Sequence, residues 1–360
     1  MRALLSKLAW TPSSMVLRGA FSSNRAAKNG GKDDILGPCL PDLWPTPSSL
    51  SPPPLPPSPS PIRDEELTPT IINGELIAKE IRSSIAEEVR QMKQAIDKVP
   101  GLAVILVGQR RDSQSYVRCK IKACEEVGIS SRVAEFPVDC NDNEIVNAVS
   151  SFNEDPSVHG ILVQLPLPQH MNEEKILSAL SLEKDVDGFH PLNVGNLAMR
   201  DREPLFIPCS ARACIELLLR SNVKIMGKNA VIIGRSRVVG LPTSLLLQRH
   251  HATVSIIHAF TENPEDITRE ADIVISAAGV PGLVRGNWLK KGAVVIDVGT
   301  NAIEDRGSRH GYYLTGDVCY LEALSVVSAI TPVPGGVGPV TIAMLLSNTL
   351  DAAKLAYRLS

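Results

Sequence analysis

The sequence predicts an α/β protein made of two α/β units, each with a largely parallel sheet. Two patterns carry that expectation. Strand and helix signals alternate over residues 74–168, and four apolar strands separated by helical or loop segments follow between residues 209 and 299. Length is the third support, because 360 residues are enough for two domains with a core each.

In chain order, Ile77, Ile81, Ile85, Val89, Met92 and Ile96 recur every three or four residues, so 74–96 reads as an amphipathic helix. The apolar run LAVILV (102–107) reads as a fully buried strand. DSQSYVRCKIKACEEVG is then a helix opened by Asp112 or Ser113 and stopped by Gly128. HGILVQLPLP (159–168) is a strand that runs into a proline-stiffened loop. The second unit begins near Cys209 with a helix over 211–220. KNAVIIG, a helix after Gly240, ATVSII, ADIVISAAG and GAVVIDVG follow, in the manner of a dinucleotide-binding sheet. No repeat at a fixed period is visible.

Composition narrows the function classes. Residues 1–32 hold six basic residues and no acid, so of 37 basic and 39 acidic residues the remainder keeps 31 and 39. That mild acidity argues against a general nucleic-acid footprint. The first segment is rich in Arg and Ser, lacks a long apolar region, and reads as an organellar transit peptide, mitochondrial with a plastid as the alternative. Residues 38–61 carry eleven of the 27 prolines, so 33–67 reads as a Pro/Ser-rich disordered linker. The seven cysteines form no CxxC and no zinc spacing, which suggests free thiols in a reducing compartment. No metal is implied, and no apolar stretch is long enough to span a bilayer.

Three constellations could carry chemistry. In VIIGRSRVVGLP (231–242) a strand enters Gly234 and a helix begins near Gly240, a geometry that brings backbone amides and a helix N-terminus towards a phosphate. The spacing departs from GxGxxG, and an ordinary strand-to-helix turn is the plain alternative. The next strand ends at Ile257, followed by His258 and Ala259 rather than an acid for a ribose hydroxyl, and Arg235 supplies a cation; both favour NADP over NAD. Tyr116 and Lys120 are one helical turn apart: either a lysine laid along a surface, or a partly buried amine able to exchange protons, with Lys122 a rival on another face. Gln164 directly follows a buried strand, and Asp185 and Asp187 alternate before Gly188, where an Asx turn is the plain reading. TPVPGGVGPVT (331–341) is stiff and poor in side chains at once.

SYVRCKIKACEEVGI, GILVQLPLP, EKDVDGFHPLNVG, GRSRVVGLP and TPVPGGVGPVT occur in the order seen in bifunctional methylenetetrahydrofolate dehydrogenase/methenyltetrahydrofolate cyclohydrolases, and the chain resembles that family over residues 70–358. The resemblance implies a folate-binding catalytic domain over 68–209, with a C-terminal helix 340–358 packed back on it. It also implies a Rossmann-like NAD(P)-binding domain over 210–339 and a cleft between the two. Lys120 would be the acid/base of the cyclohydrolase step, with Gln164 tuning it, Tyr116 stacking on the folate and Asp187 taking the donors of the pterin. Ser113 would help to hold Lys120 or the substrate, and Leu165, Pro166, Pro332, Pro334, Gly335, Gly336 and Gly338 would line the substrate site, with Pro332 or Pro334 open to a cis bond. Cofactor contacts would fall at Gly234, Arg235, Ser236, Val239, Gly240 and His258, and at Ala277, Gly279 and Gly299. Many relatives carry Ser where this chain has Ala259, which would remove one phosphate hydrogen bond and weaken the NADP preference. The implied activity is NADP-dependent oxidation of 5,10-methylenetetrahydrofolate and hydrolysis of the product to 10-formyltetrahydrofolate, in a homodimer. The alternatives are a dehydrogenase without the hydrolytic step and a catalytically silent folate-binding protein.

Overall fold

The computed structural model describes residues 35–38, 68–305, 307 and 311–359. The transit-peptide expectation therefore lies outside the described residues, as does most of the linker.

Strand β1 (Thr70–Ile71) leads into helix α1 (Gly74–Ile96), whose N-cap Asn73 accepts the Leu76 amide at 3.0 Å and whose C-cap Asp97 turns left-handed. Ala78, Ile81, Ile85, Val89 and Met92 form its buried row, while Ile77 and Ile96 are half-buried flanks. Each large side chain in that row contributes roughly 1.5–3 kcal/mol of burial. Strand β2 (Gly101–Val107) is buried at every position, as a strand covered on both faces must be. Helix α2 (Arg111–Val127) starts one residue before the sequence signal: Arg110 is the N-cap without a side-chain bond, and Asp112 sits inside the first turn, accepting the Ser113 amide. Neither Asp112 nor Ser113 opens the helix, because Arg110 holds the Asp112 carboxylate; Gly128, at φ 81°, does close it. Strand β3 (Ser130–Phe136), helix α3 (Asp142–Glu154) and strand β4 (Gly160–Val163) complete a parallel sheet in the order β3-β2-β4.

After the short helices α4 (Glu173–Leu177) and α5 (Pro191–Ala198), helix α6 (Cys209–Arg220) leads to β5 (Asn229–Ile233), α7 (Gly240–Arg249), β6 (Thr253–Ile257), α8 (Pro264–Arg269), β7 (Ile273–Ser276) and β8 (Val294–Asp297). A hairpin of β9 (Asn301–Glu304) and β10 (Tyr312–Thr315) follows, then α9 (Tyr320–Leu324), β11 (Ala329–Ile330) and α10 (Val337–Tyr357). The larger sheet has six parallel strands in the order β1-β11-β8-β7-β5-β6. Two details depart from the expected division. Thr70–Ile71, assigned to the first unit, pairs with β11 in the larger sheet, and α10 begins at Val337, so Gly338 and Pro339 lie in its first turn, where proline costs no hydrogen bond.

Helix α10 packs against both α1 and α6 and is apolar nearly all round, with Ala343, Met344, Leu345, Leu346 and Leu350 buried. Its buried Asn348 donates to the Val186 and Ile207 carbonyls at 2.8 and 3.1 Å and accepts from Arg212 at 2.8 Å, so the polar group is satisfied.

Arg249, at the end of α7, is 9% exposed and donates to the carbonyls of Leu197, Arg200 and Arg202 at 3.0, 3.0 and 2.8 Å, and to Asn196 at 3.4 Å. Beside it the expected linker is partly structured: Ile35 is 3% exposed in the main core, its carbonyl meets His250 at 2.8 Å, and the Pro38 carbonyl meets His251 at 2.7 Å. An apolar pair, Ile35 and Leu36, precedes the prolines and supplies what the composition of the rest lacks. Arg249→Met keeps the apolar stem but leaves these carbonyls without their donors; the expected loss is about 1–3 kcal/mol, read as a lower thermal midpoint with both sheets retained by circular dichroism.

Candidate active site

The smaller sheet ends in Val163, and Gln164 follows with its amide tied to the Ile105 carbonyl at 2.9 Å. Its side-chain Nε2 donates to the Leu165 carbonyl at 2.7 Å, which leaves Oε1 facing α2, where Lys120 Nζ donates to it at 2.9 Å. The Leu165–Pro166 bond is cis. Asp187 feels the same lysine: burial pushes its carboxyl up, opposed by the Lys120 charge, while the Cys209 thiol beside it donates to the Val186 carbonyl at 3.3 Å. Cys209 is itself pushed well above the usual thiol range by burial and by Asp187. The half-buried Lys120 is thus hydrogen-bonded to an amide and lies in the field of the Asp187 carboxylate. Cys209 gave no signal in the sequence, because a lone cysteine before a helix has no distinctive spacing.

Tyr116 lies one turn before Lys120, on the edge of the α2 stripe that contains Cys119 and Ala123, and lines a cavity of about 780 Å³ with them. Burial pushes its phenol up, opposed by a hydrogen bond to Thr300 on the turn after β8. The same cavity is lined by Pro332, Pro334, Gly335, Gly336 and Gly338, so the stiff loop forms one wall of it. Val333–Pro334 is the cis bond of the two considered. Gly335 has φ +101°, and a Cβ on Gly74 would lie 1.8 Å from the Gly336 carbonyl oxygen, so loop and α1 pack backbone to backbone.

Lys120, Gln164 and Asp187 are not part of that cavity lining, although Lys122 is. The helix explains the split: Lys120 shares a face with buried Ser113, Val117 and Cys124, whereas Lys122 shares one with Ser115, Cys119 and Glu126. Tyr116 borders both. Ser113 is 5% exposed, on the Lys120 side, two turns away from it.

In the larger sheet Gly234 has φ +117°, and a Cβ there would lie 2.2 Å from the Ala277 carbonyl oxygen; one on Gly240 would lie 2.2 Å from the Gly234 carbonyl oxygen. Only glycine lets these three backbones converge at the carboxyl ends of β5 and β7. The Val239 and Gly240 amides donate to Ser236 Oγ at 3.1 and 3.4 Å, which fixes the turn that enters α7. Arg235 is exposed, with its guanidinium 5.9 Å from the centre of the Phe260 ring, and His258 Nδ1 accepts the Phe260 amide at 3.2 Å. Gly279 and Gly299 donate their amides to Asp317 and Asp297 at 3.1 and 3.0 Å. Neither acid was singled out in the sequence, though Asp297 closing the apolar strand VVID is a visible signal. Arg237 pairs with Glu173, an ion pair between the two units.

The glycine cradle and the exposed guanidinium fit a phosphorylated dinucleotide, and the fold is that of a dinucleotide-binding α/β enzyme with a lysine–amide pair between a helix and the end of a second, smaller sheet. Residues 72–187 match the family model for the catalytic domain of tetrahydrofolate dehydrogenase/cyclohydrolase, and residues 208–357 match its NAD(P)-binding domain. The chain belongs to the tetrahydrofolate dehydrogenase/cyclohydrolase family. It is 66% identical to the bifunctional protein FolD 1, mitochondrial, of Arabidopsis thaliana, over 88% of each chain. It is 64% identical to FolD 4, chloroplastic, of the same plant, over 79% of each. Among solved structures, the Trypanosoma brucei methylenetetrahydrofolate dehydrogenase-cyclohydrolase complexed with NADP cofactor and inhibitor aligns with TM-score 0.79 at 45% identity, covering 81% of this chain and 99% of that one.

Proposed function

We propose that this chain is the bifunctional enzyme of one-carbon folate metabolism, oxidising 5,10-methylenetetrahydrofolate to the methenyl form with NADP and hydrolysing that product to 10-formyltetrahydrofolate. The observation that carries it is the 2.9 Å hydrogen bond from Lys120 Nζ to Gln164 Oε1, beside Asp187, in a chain that also holds a dinucleotide cradle. NADP, when bound, supplies the hydride acceptor. Gly234, Gly240 and Arg235 would hold its phosphates; Tyr116 and the wall of residues 332–338 would align the flat folate so that the one-carbon unit meets the cofactor. For hydrolysis, water adds to the methenyl carbon, the bond from that carbon to N5 breaks, N5 takes a proton and one proton is released. Lys120 moves these protons, with its amine aimed by an amide that Leu165 prevents from turning. Asp187 takes the donors of the pterin.

The test is an assay of methenyltetrahydrofolate hydrolysis without cofactor, followed by methylenetetrahydrofolate oxidation with NADP and with NAD. Both activities, with NADP the better acceptor, are expected. Oxidation without hydrolysis would leave a monofunctional dehydrogenase, and neither activity would leave a folate-binding protein. The basic, acid-free first segment supports import into mitochondria, with plastids the alternative; the Arabidopsis relatives are named for both compartments. A homodimer through the cofactor-binding unit is supported by the edge position of β6, where Ile256 is 38% exposed, and sedimentation would test it.

A further inference from the structure

Asp317 has no exposed surface, yet it makes no ion pair among the described residues. Its two oxygens collect donors instead. Oδ2 accepts the amides of Ala278 and Gly279 at 2.7 and 3.1 Å and the Ser276 hydroxyl at 3.3 Å; Oδ1 accepts the Val280 amide at 3.0 Å and Asn301 Nδ2 at 2.9 Å. Three consecutive amides leaving β7 are therefore folded inward onto one carboxylate. Asp297 holds that carboxylate's own backbone, accepting the Asp317 and Val318 amides at 3.1 and 2.9 Å. A Cβ on Gly299 would lie 2.2 Å from Asp317 Oδ1, so the turn after β8 rests on the same group.

The other side of the 278–280 segment is open. A Cβ on Gly279 would meet nothing within 4 Å, and Val280 leaves 47% of its surface exposed. This segment leaves the central strand beside β5, and the Ala277 carbonyl touches Gly234 of the cofactor loop. In open parallel sheets, ligands lie outside the carboxyl ends of such strands.

We propose that Asp317 is a positioning residue for the nicotinamide half of the cofactor: it fixes the backbone of Ala278–Val280 and the turn at Gly299 as one surface against which the ring lies. This rests on the larger sheet being the NADP site. The carboxylate is needed for its acceptors on both arms. An asparagine has one acceptor oxygen, so whichever way it turns, its NH₂ faces amide donors and part of the segment is released.

The test uses the full chain carrying Asp317→Asn, with NADP binding to the folate-free protein followed by quenching of intrinsic fluorescence. NADP affinity and dehydrogenase kcat/KM are expected to fall about tenfold or more, while cofactor-free hydrolysis of methenyltetrahydrofolate stays within about twofold of the unaltered chain. Asp317→Glu, which keeps the charge but displaces the oxygens, is expected to show the same split, and it decides the matter if the Asn chain does not fold. Equal losses in hydrolysis and oxidation would overturn the proposal by making Asp317 a general stability residue, as would unchanged NADP affinity in either folded variant. If the unaltered chain itself binds no NADP, the cofactor reading fails and takes this inference with it.

Discussion

Lys120→Met is expected to lower cofactor-free hydrolysis of methenyltetrahydrofolate by roughly two to four orders of magnitude, the range over which a positioned general acid/base acts. Methionine keeps the length and flexibility of the side chain, so packing along α2 against Val117 and Cys124 is retained. What disappears is the donor 2.9 Å from Gln164 Oε1 and the positive charge that Asp187 faces. Hydride transfer needs no proton at that atom, so oxidation is expected to fall much less than hydrolysis. Lys122→Met is the matched comparison: it lines the cavity of Tyr116 and the 332–338 wall but makes no bond to Gln164, and it is expected to lower hydrolysis far less than Lys120→Met. Hydrolysis at the full rate in the Lys120 variant, or its loss in the Lys122 variant, would move the acid/base to the other face of the helix. Both are read in one spectrophotometric assay of methenyl absorbance.

Arg235→Ala is expected to raise KM for NADP by roughly ten- to a hundredfold while leaving KM for NAD almost unchanged, since a hydrogen bond to a charged group is worth about 1.5–3 kcal/mol. The guanidinium stands free of any carboxylate partner among the described residues, with only the Phe260 ring beneath it. No acid stands at the end of β6 to receive a ribose hydroxyl, where the chain continues through His258 and Ala259. Discrimination between the two dinucleotides then rests heavily on one side chain. A parallel rise in both constants would place Arg235 on a phosphate common to NADP and NAD.

Much of this molecule is legible in its residues, and the illegible parts share a cause. The stripe Ile81, Ile85, Val89 announces α1, and LAVILV announces β2, because period and burial are local properties. Lys120 and Asp187 each have an unremarkable reading in the sequence, and Gln164 stands out only by following a buried strand; the structure brings the three together. The start of α2 differs from its sequence signal because Arg110 captures Asp112, a competition that the helix-start signal does not contain. The hydrogen bonds from the Val239 and Gly240 amides to Ser236 Oγ are likewise set by a loop side chain and not by apolar periodicity. Ile35 in the core, β1 beside β11, and Asp317 under Ala278–Val280 all depend on pairings across long stretches of chain, which no local window holds.

The pairing of β1 with β11, together with the burial of α10 against α1 and α6, means that the strand at Thr70–Ile71 and the helix at Val337–Tyr357 are each laced into the other half. Severing the backbone between Leu197 and Cys209 would not liberate two self-sufficient modules, because the amino-terminal piece would keep a strand whose partner among the described residues lies in the other piece, and the carboxy-terminal piece would keep a greasy helix that has lost its bed against α1. Inheritance, expression and loss of the two chemistries are therefore coupled at the level of the polypeptide itself.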